Sequence, residues 1–398
     1  MTGPAPDLRQ IEHLRIRNYR ALKDLTLGGL TPVTALLGPN GSGKSTVFDA
    51  LAFLQEAFTK GLAEALGRRG GIAELRTRGA EEPISIELGY RDSGREESFV
   101  YRIDVDEEEG SPVVVRETLV STEGTVWLDF TRGDGHVLAE AVDTEEPAED
   151  IEHMVLGGPA VLAAAALGQL ARYRSAVGLS HRVARLQVSS PDVERIRVST
   201  PSRTPEVLSS SGDNLASVVQ RLQTRRPEVW ESILRSLRRY VPTLRDVIPE
   251  RLGDGRWIVL VSEYGVDQPI LPEHVSDGTL KLLGYLVAVH SEAWVLLLEE
   301  PENHVHPQVH YRLAEDLRLS DQPGQVLVAT HSSYFVDALR PEEVWVFYRD
   351  EQGYTQARRA ADLPELMAMV EAGGLLGSLW TEGFFGLGDP LTRSGRPR

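Results

Sequence analysis

Val33-Thr34-Ala35-Leu36-Leu37 runs directly into Gly38-Pro39-Asn40-Gly41-Ser42-Gly43-Lys44-Ser45-Thr46, and Val47, Ala50, Leu51 and Leu54 follow at helical spacing. The pattern predicts a strand over 33–37, a tight glycine loop, and a helix from Lys44 to about Phe58. Glycines are needed in such a loop because its backbone N–H groups must turn inward onto phosphate oxygens, and the N-terminus of the following helix adds a favourable dipole. Asn40, Gly41, Ser42, Gly43, Lys44, Ser45 and Thr46 are therefore expected to bind nucleotide. Lys44 is expected on the β and γ phosphates. Ser45 is expected to offer its hydroxyl to Mg²⁺, which prefers hard oxygen ligands.

Three later segments carry matching chemistry. In Val295-Leu296-Leu297-Leu298-Glu299-Glu300-Pro301-Glu302 a buried aliphatic strand ends in carboxylates. Neighbouring strand residues face opposite ways, so Glu299 and Glu300 are expected to divide the work, one at Mg²⁺ and one at a water. His331, in Val328-Ala329-Thr330-His331-Ser332-Ser333, ends a further apolar strand and is expected at a γ-phosphate. Ser276-Asp277-Gly278 precedes an apolar helix, Leu280 to His290, and offers a second helix N-terminus to anions. His304, His306 and His310 also cluster, but no acidic or water-binding context beside them calls for zinc.

The 398 residues are 41% hydrophobic and 25% charged, a globular composition with length for two or three lobes. Absent cysteine removes disulfides, thiolate metal sites and cysteine nucleophiles. Asp7, Arg9, Glu12 and Arg15 near the N-terminus do not read as a secretory signal, and a cytoplasmic, non-membrane protein is expected. The net charge of −17 opposes binding to polyanions, but residues 168–251 hold 15 Arg, no Lys and 8 Asp or Glu, a local +7. Before about residue 149 strand-like runs alternate. Residues 150–250 read as helical, with breaks at Pro191, Pro201, Pro205 and Pro227 and a buried Ala-rich helix within Met154 to Ala171. From 251 onward an α/β pattern returns, with apolar runs suited to a sheet buried on both faces. The glycine- and aromatic-rich tail from Gly373 reads as a packed C-terminal clasp.

Taken together these residues resemble the ABC-type ATPase heads of the RecF/SMC class, and more closely the OLD-like ATPases. The resemblance rests on Asn18-Tyr19-Arg20, the glycine loop (Walker A), Ser276-Asp277-Gly278-Thr279 as signature, Glu299-Glu300-Pro301-Glu302-Asn303 (Walker B) with Val305-His306-Pro307, and Thr330-His331-Ser332. It implies an α/β fold: an ABC-type P-loop ATPase head with a mixed, largely parallel core sheet, an antiparallel β subdomain and an inserted mainly helical lobe. The implied divisions are 1–149, 150–250 and 251–398. It further implies ATP and Mg²⁺ as cofactors, with Asn40 and Lys44 on phosphate, Ser45 and Glu299 on Mg²⁺, Glu300 as catalytic base and His331 as γ-phosphate sensor. Ser276, Asp277 and Gly278 would close over the ATP of a second copy, giving an ATP-dependent homodimer. Two departures stand out. Glu299 replaces the usual aspartate, and His306 replaces the aspartate common after Walker B. Gln55, Gln169 and Gln187 each lack the strand-end setting of a Q-loop.

On this resemblance ATP-driven dimerisation would act on DNA, through residues 168–251, in phage defence or DNA repair. The 67 residues after His331 leave no room expected for a Toprim nuclease, so a nuclease or other effector is expected as a separately encoded partner. The alternative, the nucleotide-binding subunit of a membrane transporter, fits less well, because Ser276 lies 232 residues after Lys44 and the signature lacks the second glycine and glutamine of that type.

Overall fold

A computed structural model describes residues 10–92, 97–140, 149–201, 207–319 and 324–388; Asp7, Arg9 and Pro205 lie outside these. Sixteen strands are described: β1 (Ile11–Tyr19), β2 (Leu22–Gly28), β3 (Val33–Leu37), β4 (Ile84–Arg91), β5 (Ser98–Glu108), β6 (Ser111–Ser121), β7 (Val126–Thr131), β8 (Asp134–Glu140), β9 (Glu149–Val155), β10 (Leu186–Ser189), β11 (Leu244–Arg251), β12 (Trp257–Glu263), β13 (Val295–Glu299), β14 (Gln325–Thr330), β15 (Val344–Arg349) and β16 (Thr355–Arg359). They form a six-stranded sheet ordered β10-β13-β14-β3-β15-β16, an eight-stranded sheet ordered β2-β1-β4-β5-β6-β7-β8-β9, and the β11-β12 pair. In the six-stranded sheet β10, β13, β14, β3 and β15 run parallel and only the edge strand β16 is antiparallel. Every pairing in the eight-stranded sheet is antiparallel.

Side-chain alternation places two cores on opposite faces of the parallel sheet. Val295 and Leu297 of β13 enter the cluster shared with the antiparallel sheet, while Leu296 and Leu298 enter the helical cluster on the other face. Each such fully buried leucine contributes roughly 1.5–3 kcal/mol. Gln325, with no exposure, joins the two sheets: its Oε1 accepts from Ile11 N, and its Nε2 donates to the carbonyls of Ile11 and Thr31. The helix Lys44–Lys60 lies beneath, burying Val47, Phe48, Ala50, Leu51, Phe53, Leu54 and Ala57.

Residues 150–250 hold strands as well as helices. They hold the helices Ala163–Leu167, Arg174–Ala184, Val193–Arg197, Leu215–Arg225 and Pro227–Tyr240, but also β9, at one edge of the antiparallel sheet, β10, at one edge of the six-stranded sheet, and β11. The physical reason is that β10 gains its hydrogen bonds only from distant β13, which local periodicity cannot report. Within Met154 to Ala171 only Ala163–Leu167 is helical, because Met154 and Val155 finish β9. The arginine excess of 168–251 is largely matched from outside that stretch: Arg172 faces Glu152, Arg182 faces Asp92, Arg185 and Arg226 face Glu292, Arg197 faces Asp277, and Arg239 faces Asp316. In the tail, Leu376, Leu379 and Phe385 are buried, and Gly377 donates to Asp337. Among the described residues no helix is long and apolar enough to cross a membrane.

Candidate nucleotide site

The parallel register brings Leu37, Thr330, Ala329, Glu299, Leu298 and Ser189 to one end of the sheet, the carboxyl end where α/β sheets bind ligands. The glycine loop opens there. Gly41 and Gly43 hold φ of 75° and 110°, in the left-handed region that favours glycine. A Cβ on Gly38 would lie 2.3 Å from the Phe347 carbonyl, and one on Gly43 would lie 2.2 Å from Thr355 Oγ1, so the loop lies directly on β15 and β16. Thr355 donates to the Ser42 carbonyl at 2.8 Å and Arg349 to the Gly41 carbonyl at 2.6 Å. Lys44 donates to the carbonyls of Gly38 (2.8 Å) and Pro39 (3.0 Å). Burial lowers its pKa to about 8, against the opposing pull of Glu300, Glu302 and Glu299. Asn40 is exposed at the loop's tip, and Thr46 begins the helical hydrogen bonding with a bond to the Gly43 carbonyl. Behind the loop, Asp49 accepts from Tyr19 (2.7 Å) and Arg69 (2.9 Å) and pairs with Arg20 (3.1 Å), tying the Asn18-Tyr19-Arg20 turn to the loop's helix.

Glu299 ends β13; burial raises its pKa, and the neighbouring hydroxyls of Ser45 and Ser190 oppose the rise. Glu300 takes φ of 43°, and its N–H donates to Ala329 O at 2.8 Å, so it leaves the strand while still attached to β14. Its carboxylate accepts from Asn303 and stands 3.6 Å from His331 Nε2. Burial, then the Lys44 charge, lowers the His331 pKa and favours the neutral ring. Glu299 and Glu300 therefore face different partners, Glu299 from the end of β13 and Glu300 from the left-handed turn after it. A 930 Å³ cleft begins at Ser45, Asp49 and Glu299 and runs along the loop's helix to Arg185.

Ser276 caps the helix Asp277–Val289 by accepting from Thr279 N. Asp277 pairs with Arg197 (2.6 Å) and stands 3.5 Å from His304, and a Cβ on Gly278 would lie 2.5 Å from the His304 carbonyl. This motif is thus built against the segment after Glu300. Among the described residues Ser276, Asp277 and Gly278 make no hydrogen bond or ion pair with residues 38–46, whereas Lys44, Ser45, Glu299, Glu300 and His331 converge. Lys281, one turn into the same helix, is 7% exposed, and burial lowers its pKa against the pull of Glu300 and Glu302.

These features are those of a P-loop site, and the comparisons with known proteins agree. A family described as "AAA domain, putative AbiEii toxin, Type IV TA system" matches residues 33–134 and 166–337. The chain belongs to this AAA family. No curated protein matches it. Of the solved structures it is similar to, "Crystal structure of the SmcHead bound to the C-winged helix domain of ScpA" is 13% identical with a TM-score of 0.51, over 87% of this chain and 97% of that one. "SMC head domain from Thermotoga maritima" is 14% identical with a TM-score of 0.38, over 88% and 98%. The first likeness shows the fold of this AAA chain, that of an SMC head.

Several residues of this AAA site went unassigned from sequence. Ser190, Arg349 and Thr355 reach it through strands far away in the chain and carry no local signal. Glu302 could have been found, as the third carboxylate of Glu299-Glu300-Pro301-Glu302; it is 8% exposed, and its Oε1 accepts from Thr330 Oγ1 (2.8 Å) and His331 N (2.7 Å).

Proposed function

We propose that this AAA protein binds ATP with Mg²⁺, hydrolyses it, and does so in a site completed by a second copy of the chain. The observation that carries the reading is the meeting of Lys44, the Ser45–Glu299 pair and the Glu300–His331 pair at the ends of adjacent parallel strands. Asn40 to Thr46 cradle the phosphates, with Lys44 moving from the loop carbonyls to the β and γ oxygens. The Ser45 hydroxyl and Glu299 carboxylate are two hard oxygens lining the same cleft, a donor set that suits Mg²⁺. The ion would supply neutralising charge on the phosphates. Glu300 takes the proton of a water whose oxygen attacks the γ-phosphorus as the bond to the β-bridging oxygen breaks, releasing ADP and phosphate; His331 contacts the γ-phosphate. General-base placement of this kind contributes about 10²- to 10⁴-fold.

The placement of Ser276, Asp277 and Gly278 away from residues 38–46 of the same chain supports a composite site, in which they meet the ATP of a partner in an isologous homodimer. Beyond the family itself, we liken the chain to the OLD-like ATPases and assign it to the cytoplasm. We extend to it a role in phage defence or DNA repair with a separately encoded effector. DNA would meet Arg235, Arg238 and Arg239, on the outer face of the helix Pro227–Tyr240. No observation favours the transporter alternative.

Phosphate release from ATP by the native chain and by Glu300→Gln tests the reading. Turnover by the first and a loss of 10²-fold or more in the second is expected; equal rates would remove Glu300 as the base.

A further inference from the structure

The turn between β13 and the helix Pro307–Leu319 holds two non-glycine residues in left-handed backbone, Glu300 at φ 43° and His304 at φ 66°. Such conformations persist only where their surroundings over-determine them. Two side chains supply that restraint. Glu302 bridges from the turn to the end of β14, accepting on one oxygen from both Thr330 Oγ1 and His331 N; Thr330 Oγ1 in turn accepts from Ser332 N at 3.0 Å. His310, also 8% exposed, reaches back from the following helix. Its Nε2 lies 2.8 Å from the Val305 carbonyl and its Nδ1 lies 2.8 Å from Ser332 Oγ. A carbonyl can only accept, so Nε2 carries the proton, Nδ1 is the acceptor, and the Ser332 hydroxyl donates to it. Ser332 Oγ is left to accept from Phe335 N (3.1 Å) and so caps the next helix.

The geometry points to a buried clasp, made by Glu302 and His310, that fixes the Glu300 turn and the His331 turn as one rigid unit. Both are positioning residues: neither faces the cleft, and each acts through a neighbour. Glu302 sets the backbone N–H of His331 and hence the direction of its ring. His310 holds Val305, and so the segment 303–306 that packs on Gly278 and Asp277. His310 is thereby given a use that needs no metal. The inference rests on the hydrolytic reading of Glu300 and His331.

His310→Leu keeps the apolar volume and removes both bonds. His310→Gln keeps an amide N–H for Val305 and an oxygen for Ser332. The clasp predicts that His310→Leu loses about ten- to a hundredfold in kcat, from misplacement of reacting groups. Its dissociation constant for ATP, read by calorimetry, should move less than about threefold, because the phosphate loop is untouched. His310→Gln should recover most of the rate, a rescue that loss of packing alone would not give. Thr330→Val removes the bond to Glu302 and the one from Ser332 N without a change of shape and should show the same split, so the test stands even if His310→Leu does not fold. Native-like kcat in both His310→Leu and Thr330→Val overturns the clasp while leaving the hydrolytic reading intact. No turnover by the native chain overturns that reading and the clasp's catalytic role with it.

Discussion

Lys44 is 5% exposed, with its ammonium on two loop carbonyls, and burial takes its pKa from an ordinary 10.5 to about 8. The sign of the consequence is fixed. Between about pH 8 and 10.5 the unfolded chain binds more protons here than the folded one, so stability rises with pH in that window, and below it the cost of the buried charge is fully present. A drop from 10.5 to about 8, at ~1.36 kcal/mol per pH unit, is a cost of roughly 3 kcal/mol. Lys44→Met keeps a flexible stem of similar length and removes that cost. It also loses two hydrogen bonds, each of net worth about 1 kcal/mol, leaving a gain on the order of 1 kcal/mol. The variant should therefore melt about one degree above the native protein at pH 7 without nucleotide. With ATP and Mg²⁺ at about a hundred times the dissociation constant the native protein should gain about 2.7 kcal/mol and Lys44→Met nothing. Thermal denaturation followed by intrinsic fluorescence reads both. A variant that melts below the native protein, or that is still stabilised by ATP, refutes the reasoning.

Three further outcomes are expected. Gly43→Ala places a methyl 2.2 Å from Thr355 Oγ1 at φ 110° and should cost at least about 2 kcal/mol in denaturant titration while abolishing nucleotide binding. Glu117 is fully buried, accepting from Ala163 N, Ala164 N and Tyr101, and burial raises its pKa from 4.5 to about 7. The folded state then binds more protons between those values, so stability should fall as pH rises from 4.5 to 7, and the fall should be missing from the melting profile of Glu117→Gln. Arg197→Ala frees Asp277 together with the carbonyls of Pro272 and Val275; ATP affinity of the monomer should be unchanged and ATP-driven dimerisation, read by sedimentation, weakened.

Legibility in the sequence followed the range of the interactions. Val33 to Leu37, Val295 to Leu298 and Val326 to Ala329 were readable because each aliphatic run is buried on both faces and ends in glycine, carboxylate or histidine. The antiparallel strands from Ile84 to Phe130 were readable by alternation. Leu186–Ser189 was not, since it is four residues long, flanked by helices, and pairs with a strand more than a hundred residues away. For the same reason Ser190 could not be assigned to Glu299, nor Arg349 to Gly41: those pairs exist only once the parallel register is set. The arginine count of 168–251 was correct as arithmetic, but the carboxylates that match it come from other parts of the chain.

The central claim, a site shared between two copies, is tested most directly by mixing two inactive variants. Lys44→Ala disables the loop and Ser276→Arg the signature, so in a heterodimer one site carries both defects and the other carries neither. The account predicts that each variant alone is inactive in phosphate release and that an equimolar mixture recovers up to about a quarter of the native rate, one intact site in half of the dimers. A mixture no more active than the two variants measured separately would contradict it.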